Sequence, residues 1–184
     1  MQKFLQWTLE TIRSDESLMS WMEEKRFEWV PLVSSALKSI LMGHTFIILT
    51  DKKREWFGKY LSQSINSFEK NRPLLPIVTL EELCINLDEA NSKEKIAMIE
   101  DVLSISFPNG YIFFYIGESD SPRAKIVKHA QRSFLWVMDE QLQNSFYLNS
   151  NDDLLNIKLI QLARLFDKSI DAVLFNEITM EDLG

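Results

Sequence analysis

Apolar residues recur along this chain in two rhythms. Over the first 42 residues they follow helical spacing: Leu5, Leu9 and Ile12 share one face, and a second segment from Pro31 aligns Val33, Leu37, Ile40 and Leu41. Proline in the first turn of a helix sacrifices no hydrogen bond, so this pattern predicts a helix starting at Pro31 and stopping at Gly43. Residues 45–50, Thr-Phe-Ile-Ile-Leu-Thr, are then continuously apolar over a strand's length. That is the pattern of a strand covered on both faces, as in a parallel sheet. Asp51 caps a predicted helix with Trp56, Phe57, Tyr60, Leu61 and Ile65 on its apolar side.

The alternation continues. Residues 74–80 predict a second strand, which Pro76 pushes to a sheet edge. Residues 92–105 predict a helix with Ile96, Ile99, Val102 and Leu103 inward. Pro108-Asn109-Gly110 turns the chain into residues 111–116, its longest apolar run. A short helix is expected near Ser121-Pro122, then strands over 133–138 and 145–148. The last helix, about 153–176, aligns Leu159, Leu162, Ala163, Phe166, Ile170, Val173 and Leu174. Together these predict one α/β domain over 1–184: a three-layer sandwich around a five-stranded parallel sheet. Its N-terminal helices would occupy about 3–42 and its sheet core about 44–150.

Charge and length narrow the classes. The chain has 184 residues, with 20 Lys and Arg against 27 Asp and Glu, a net charge of −7. Nucleic-acid binding draws its basal affinity from basic residues, and the runs Lys52-Lys53-Arg54 and 125–132 are short, so no direct nucleic-acid partner is expected. No apolar run approaches the ~18 residues of a membrane span, and the first residues lack an apolar signal core. The expectation is a cytoplasmic globular protein without a membrane partner. The single Cys84 cannot form an internal disulfide and has no metal-ligand partner at short spacing.

In an open α/β sheet the ligand site lies at the carboxyl ends of the strands. Phosphate cradles there need clustered glycines, but the first predicted strand leads into Thr50-Asp51-Lys52-Lys53-Arg54-Glu55, and the five glycines are scattered. A helix N-cap role accounts for Asp51, as it does better than a catalytic or phospho-acceptor role. His44 and His129 are read as surface or half-buried residues. Glu81-Glu82 and Asp152-Asp153 sit at element starts, where the helix dipole favours negative charge. The stretch Gly117-Glu118-Ser119-Asp120-Ser121 is the one candidate anion loop, through Gly117, Ser119 and Ser121. No catalytic residue, metal ligand or cofactor is predicted.

Some aromatics break the core periodicity. On a helical wheel Phe175 lies roughly 180° from Phe166, among Arg164, Lys168 and Asp171, and Trp7 lies about 200° from Leu5. Leu154, Ile157 and Leu165 also fall off the main stripe of the last helix. A helix apolar on two sides in a small domain points to a subunit interface.

Blocks along the chain resemble the HobA family, bacterial proteins that associate with the replication initiator DnaA. They include Glu24-Lys25-Arg26-Phe27-Glu28-Trp29-Val30-Pro31, Arg54-Glu55-Trp56-Phe57, Arg72-Pro73-Leu74-Leu75-Pro76 and Ser106-Phe107-Pro108-Asn109-Gly110-Tyr111. Ser133-Phe134-Leu135-Trp136, Gln143-Asn144-Ser145-Phe146-Tyr147-Leu148 and Ile157-Lys158-Leu159-Ile160-Gln161-Leu162 extend the likeness. The resemblance implies a fold like sugar isomerase (SIS) domains and a non-catalytic homotetramer. That assembly would hold DnaA through its N-terminal domain and promote initiator assembly at the chromosomal origin. The related DiaA family ends in a similar Ile-Asp-x-x-Leu-Phe motif, here Ile170-Asp171-Ala172-Val173-Leu174-Phe175. This implicates Leu174 and Phe175 in partner binding, with Trp7, Phe27 and Trp29 as further candidates for partner or tetramer contacts. The alternative is a sugar-phosphate sensor or isomerase of SIS type using the 117–121 loop.

Overall fold

Both rhythms become elements. The helices are α1 (Gln2–Ser14), α2 (Met22–Leu41), α3 (Glu55–Ile65), α4 (Lys93–Ser106), α5 (Ala124–Lys128) and α6 (Leu155–Leu174). The strands are β1 (Thr45–Thr50), β2 (Ile77–Thr79), β3 (Tyr111–Glu118), β4 (Ser133–Met138) and β5 (Ser145–Leu148). The computed structural model describes residues 1–15, 19–83, 92–128, 130 and 132–184. Cys84 and His129 lie outside the described residues. The chain groups into two compact units, residues 39–150 and residues 1–38 with 151–184.

The 39–150 unit contains the parallel sheet, in the order β2-β1-β3-β4-β5. All six residues of β1 are buried, as the continuous apolar run requires. Helix α2 ends in a Schellman turn at Gly43 (φ +80), where Gly43 N–H donates to Ile40 C=O and His44 N–H to Ser39 C=O. β2 is the edge strand and is only three residues long, because Pro76 precedes it. β3 runs to Glu118, two residues beyond the apolar run.

Three layers are visible within this unit. On one face of the sheet, Ile47, Leu49, Phe113 and Tyr115 form a core with Ile96, Ile99 and Leu103 of α4 and Ile126 and Val127 of α5. On the other, Phe57 of α3 reaches Trp136 at 6.1 Å between ring centroids, and Trp136 packs edge-on to Phe114 at 4.9 Å. Three expected core positions are displaced: Leu41 is exposed at the end of α2, and Trp56 and Val102 are exposed because the arcs buried on their helices centre on Phe57 and Leu61 and on Ile99 and Leu103. β4 and β5 run parallel with no helix between them. Asp139 (φ 66) and Asn144 (φ 57) take left-handed backbone at the two ends of the return, a conformation these side chains tolerate.

In the other unit, the buried line of α1 is Phe4, Thr8 and Ile12, while Leu5 and Leu9 are half-buried. The Thr8 hydroxyl donates back to Phe4 C=O at 2.8 Å, which lets a polar residue occupy that line. Helix α2 begins at Met22 rather than at Pro31, which lies inside it. Met22, Trp29, Val30, Val33 and Leu37 form one buried surface through the proline. Pro31 itself is exposed, so the Phe27 carbonyl that loses its donor lies on the water side of the helix. The stripe of α6 is buried from Leu159 to Val173. Leu165 is buried too, within the chain rather than free for a subunit contact, whereas Leu154 and Ile157 are exposed.

Pro31→Ala restores a backbone donor on an exposed helix face. It is expected to stabilise the protein by about 1–3 kcal/mol in urea unfolding. A loss of stability would show that packing depends on the bend.

Candidate partner surface and the strand-end cleft

The chain leaves β1 for β2 on one side and returns through α4 to β3 on the other, so the topological switch point lies between the carboxyl ends of β1 and β3. Asp51 follows β1 and Glu118 ends β3. Asp51 caps the turn at residues 52–54, its Oδ1 accepting the Arg54 N–H at 3.0 Å. Its Oδ2 accepts the Glu118 N–H at 2.8 Å and Arg54 Nη1 at 2.6 Å. The same Nη1 reaches Glu118 Oε1 at 3.2 Å, and Lys53 Nζ donates to that oxygen at 2.8 Å. Lys53 first, then Arg54, hold the Glu118 carboxyl below its usual range, and Glu118 in turn raises Lys53.

A second buried guanidinium closes the same end of the sheet. Arg123 donates to Thr50 C=O and to Glu81, and pairs with Glu55 at 2.7 Å. The Tyr115 hydroxyl donates to Glu118 C=O at 2.6 Å, and burial pushes that phenol upward. The cleft remaining here, about 500 Å³, is lined by Asp51, Lys53, Glu118, Asp120, Ser121 and Arg123 among others. Both arginines already face carboxylates, so an entering anion would compete with Asp51, Glu118, Glu55 and Glu81. Gly117 is buried and its Cα serves close approach: a Cβ there would meet Tyr115 Oη at 2.6 Å and Asp51 Oδ2 at 2.8 Å. Ser119 and Ser121 are half-buried on the loop beyond it. The sequence pointed to this loop. It did not reveal that Arg54 and Arg123 are the buried charges, a consequence of strand order that brings residues distant in sequence together.

The other predicted site residues lie in the unit formed by 1–38 and 151–184. Phe175 caps the C-terminus of α6 and is 58% exposed, while Leu174 beside it is half-buried. Asn176 takes left-handed backbone (φ 61) and turns the chain away from the helix. Ile178 and Leu183 are fully buried and hold the tail down. Trp7 fastens it as well: its Nε1 donates to Glu177 at 3.2 Å and its ring lies 5.8 Å from Phe4. Trp7 is therefore half-buried and partnered within the chain. Phe27 is 59% exposed, with the Arg26 guanidinium 4.1 Å from its ring centroid. Trp29 is fully buried and has no surface to offer a partner, which removes it from the contact candidates. It shares its buried side of α2 with Val30, between the exposed Phe27 and Glu28 on one side and the exposed Pro31 on the other.

Among the described residues no cluster of His, Cys, Asp or Glu is arranged to hold a metal ion, and no helix is long and apolar enough to cross a membrane. The Glu82 carboxylate accepts the Thr79 N–H at 2.9 Å and the Asp152 carboxylate the Leu154 N–H at 2.9 Å, with Lys158 paired to Asp152. Glu82 and Asp152 thus serve local backbone, while Glu81 faces Arg123 across the sheet end.

These features define an α/β protein with a five-stranded parallel sheet, whose strand-end cleft is bordered by its own ion pairs, and which exposes Phe27 and Trp56 on helices, Phe175 at a helix end and Phe68 in the loop after α3. A family model described as "HobA: DNA replication regulator" matches residues 1–180, and the chain belongs to that family. It is 25% identical to the DNA replication regulator protein HobA of Helicobacter pylori over 98% of this chain and all of that one. It is similar to a chain in the crystal structure of a HobA–DnaA (domain I–II) complex from the same organism, with a TM-score of 0.75 and 25% identity over 97% and 99% of the two chains. A crystal structure of H. pylori HobA shares the fold, with a TM-score of 0.76 at 24% identity.

Gly117→Ala forces Asp51 off its partners and is expected to cost about 2–4 kcal/mol in urea unfolding. An unchanged midpoint would show that the network tolerates rearrangement. A second expectation concerns the tail. The Thr179 N–H first, then Lys3, hold the Asp182 carboxyl down to about 2. A lowered folded pKa contributes stability above the unfolded value, and that contribution is lost as pH falls through the folded one. The tail should therefore loosen between about pH 4 and pH 2. An NMR titration should place the Asp182 midpoint near 2, rising only partly in Lys3→Gln; a midpoint in the ordinary aspartate range would contradict the contacts.

Proposed function

We propose that this chain is a non-catalytic, homotetrameric scaffold that binds the N-terminal domains of DnaA and promotes assembly of the initiator at the chromosomal origin. It would act in the cytoplasm, as one domain over residues 1–184 and without contacting DNA itself. The observation that carries this reading is the end-to-end likeness to a chain crystallised in a HobA–DnaA (domain I–II) complex. The exposed Phe175 at a pinned helix end supplies a physical anchor: an aromatic held in place by buried Ile178 and by Trp7 loses little freedom on binding. Leu174 supports it from the half-buried side, and Phe27 and Trp7 are the further contact candidates.

The strand-end cleft favours this over a sugar-phosphate sensor or isomerase. A phosphate needs uncommitted donors, and the guanidiniums of Arg54 and Arg123 are committed to carboxylates. A net charge of −7 likewise favours reaching DNA through a partner.

Light scattering with the DnaA domain I–II fragment tests the scaffold directly. The expected result is a tetramer whose mass rises by several fragments. Leu174→Ala with Phe175→Ala should weaken fragment binding at least about tenfold, some 1.4 kcal/mol, and leave the mass of the free protein unchanged. Unchanged affinity in the double variant would reject the anchor, and no mass increase in the wild type would reject the scaffold. Ser119→Ala and Ser121→Ala should leave binding as it is.

A further inference from the structure

Helix α4 is apolar on two sides. Ile96, Ile99 and Leu103 are buried in the core of the 39–150 unit. Met98, Val102 and Ile105 follow one another at i, i+4 and i+7 on a different side, 67%, 41% and 82% exposed. A surface helix ordinarily gives that side to polar residues. Three apolar residues at this spacing are what one helix offers another when the two dock side by side.

The surroundings of the stripe say what kind of helix it would accept. Glu94 and Asp101 are both exposed, and on the helical wheel they fall within about 60° of one another's and Ile105's direction, forming an acidic rim. Next to the C-terminal half of the helix opens a cleft of about 560 Å³, whose lining includes Glu100, Asp101, Ser104, Tyr111 and Arg132. Tyr111 is raised by burial, against a Ser104 hydrogen bond, and further by Glu100 and Asp101. The carboxylates are therefore felt inside the cleft although Arg132 shares it.

A second copy of this chain fits less well. The antiparallel register that sets Met98 of each copy over Ile105 of the other, with Val102 near the dyad, brings two Asp101 carboxylates together. Like charges so placed oppose association. A helix with a basic rim on the Glu94–Asp101 side meets the same stripe without that conflict, its other rim facing the exposed Lys95.

We propose that the outer face of α4 docks a basic amphipathic helix of a partner protein. Its apolar residues would lie on Met98, Val102 and Ile105, and lysines or arginines of its rim would reach Glu94 and Asp101. The proposal uses no residue of the Phe175 anchor and does not depend on the initiator-binding reading.

The test uses the full chain and two synthetic helical peptides, each with leucines at i, i+4 and i+7. One carries lysines along a rim and the other glutamates, and binding is followed by fluorescence anisotropy. The lysine peptide should bind saturably, at least about tenfold tighter than the glutamate peptide, and weaken as salt rises. Ile105→Ser should lower its affinity about tenfold and Asp101→Asn several-fold, with Met98→Gln as a second stripe variant. Thermal melts of these exposed-site variants should match the wild type. Equal binding of the two peptides, or wild-type affinity in Ile105→Ser and Met98→Gln, would overturn the proposal. So would a fall in native mass in Ile105→Ser, which would show that a second copy covers the stripe.

Discussion

The guanidinium of Arg54, almost wholly buried, fastens the carboxyl ends of the two central strands. It joins Asp51 after β1 to Glu118 at the end of β3, and Asp51 completes the ring by accepting the Glu118 N–H. A buried ion pair of this kind adds little over a hydrophobic substitute, but removing one partner costs about 3–5 kcal/mol because the other charge is stranded. Gly117 belongs to the same constraint, since its missing side chain is what lets Asp51 come close. Arg123 repeats the device with Glu55, Glu81 and Thr50 C=O. The unit of residues 39–150 thus closes with charges the chain supplies to itself.

That closure has a functional consequence. In an open parallel sheet the switch point is where a ligand ordinarily enters, and here the two buried guanidiniums that would meet it face the chain's own carboxylates. On the proposed reading, recognition falls to the helices. Phe175 projects from a helix end held by Trp7, Ile178 and Leu183, and α4 carries its outward stripe on a helix held by Ile96, Ile99 and Leu103. In each case the exposed apolar group stands on backbone fixed by buried neighbours, so binding orders little that was not already ordered.

The sheet was largely legible in the sequence because its signals are local. A six-residue apolar run such as 45–50 has few alternatives to a buried parallel strand, and the strands at 133–138 and 145–148 fall where the runs place them. Helical phase was less legible. Pro31 read as a start because an interior proline ordinarily breaks a helix, yet it sits on the water side of α2 where the lost bond is cheapest. Trp29 entered as a contact candidate with the family resemblance, and no periodicity had been drawn through it to show that it is buried. Val102 and Met98 could not be sorted by periodicity on a helix whose two sides are both apolar. The exposed Phe175 was legible from the wheel alone, since it stands among Arg164, Lys168 and Asp171. The ion network was not, because Asp51 and Glu118 meet only through strand order, which no local pattern encodes.

The central claim is that a protein partner is recognised at the end of α6 while the strand-end cleft takes no part. Hydrogen–deuterium exchange on the full chain, with and without the DnaA domain I–II fragment, tests it most directly. The account predicts new protection over residues 171–177 and none over 117–121. Protection over 117–121, with residues 171–177 unchanged, would contradict it.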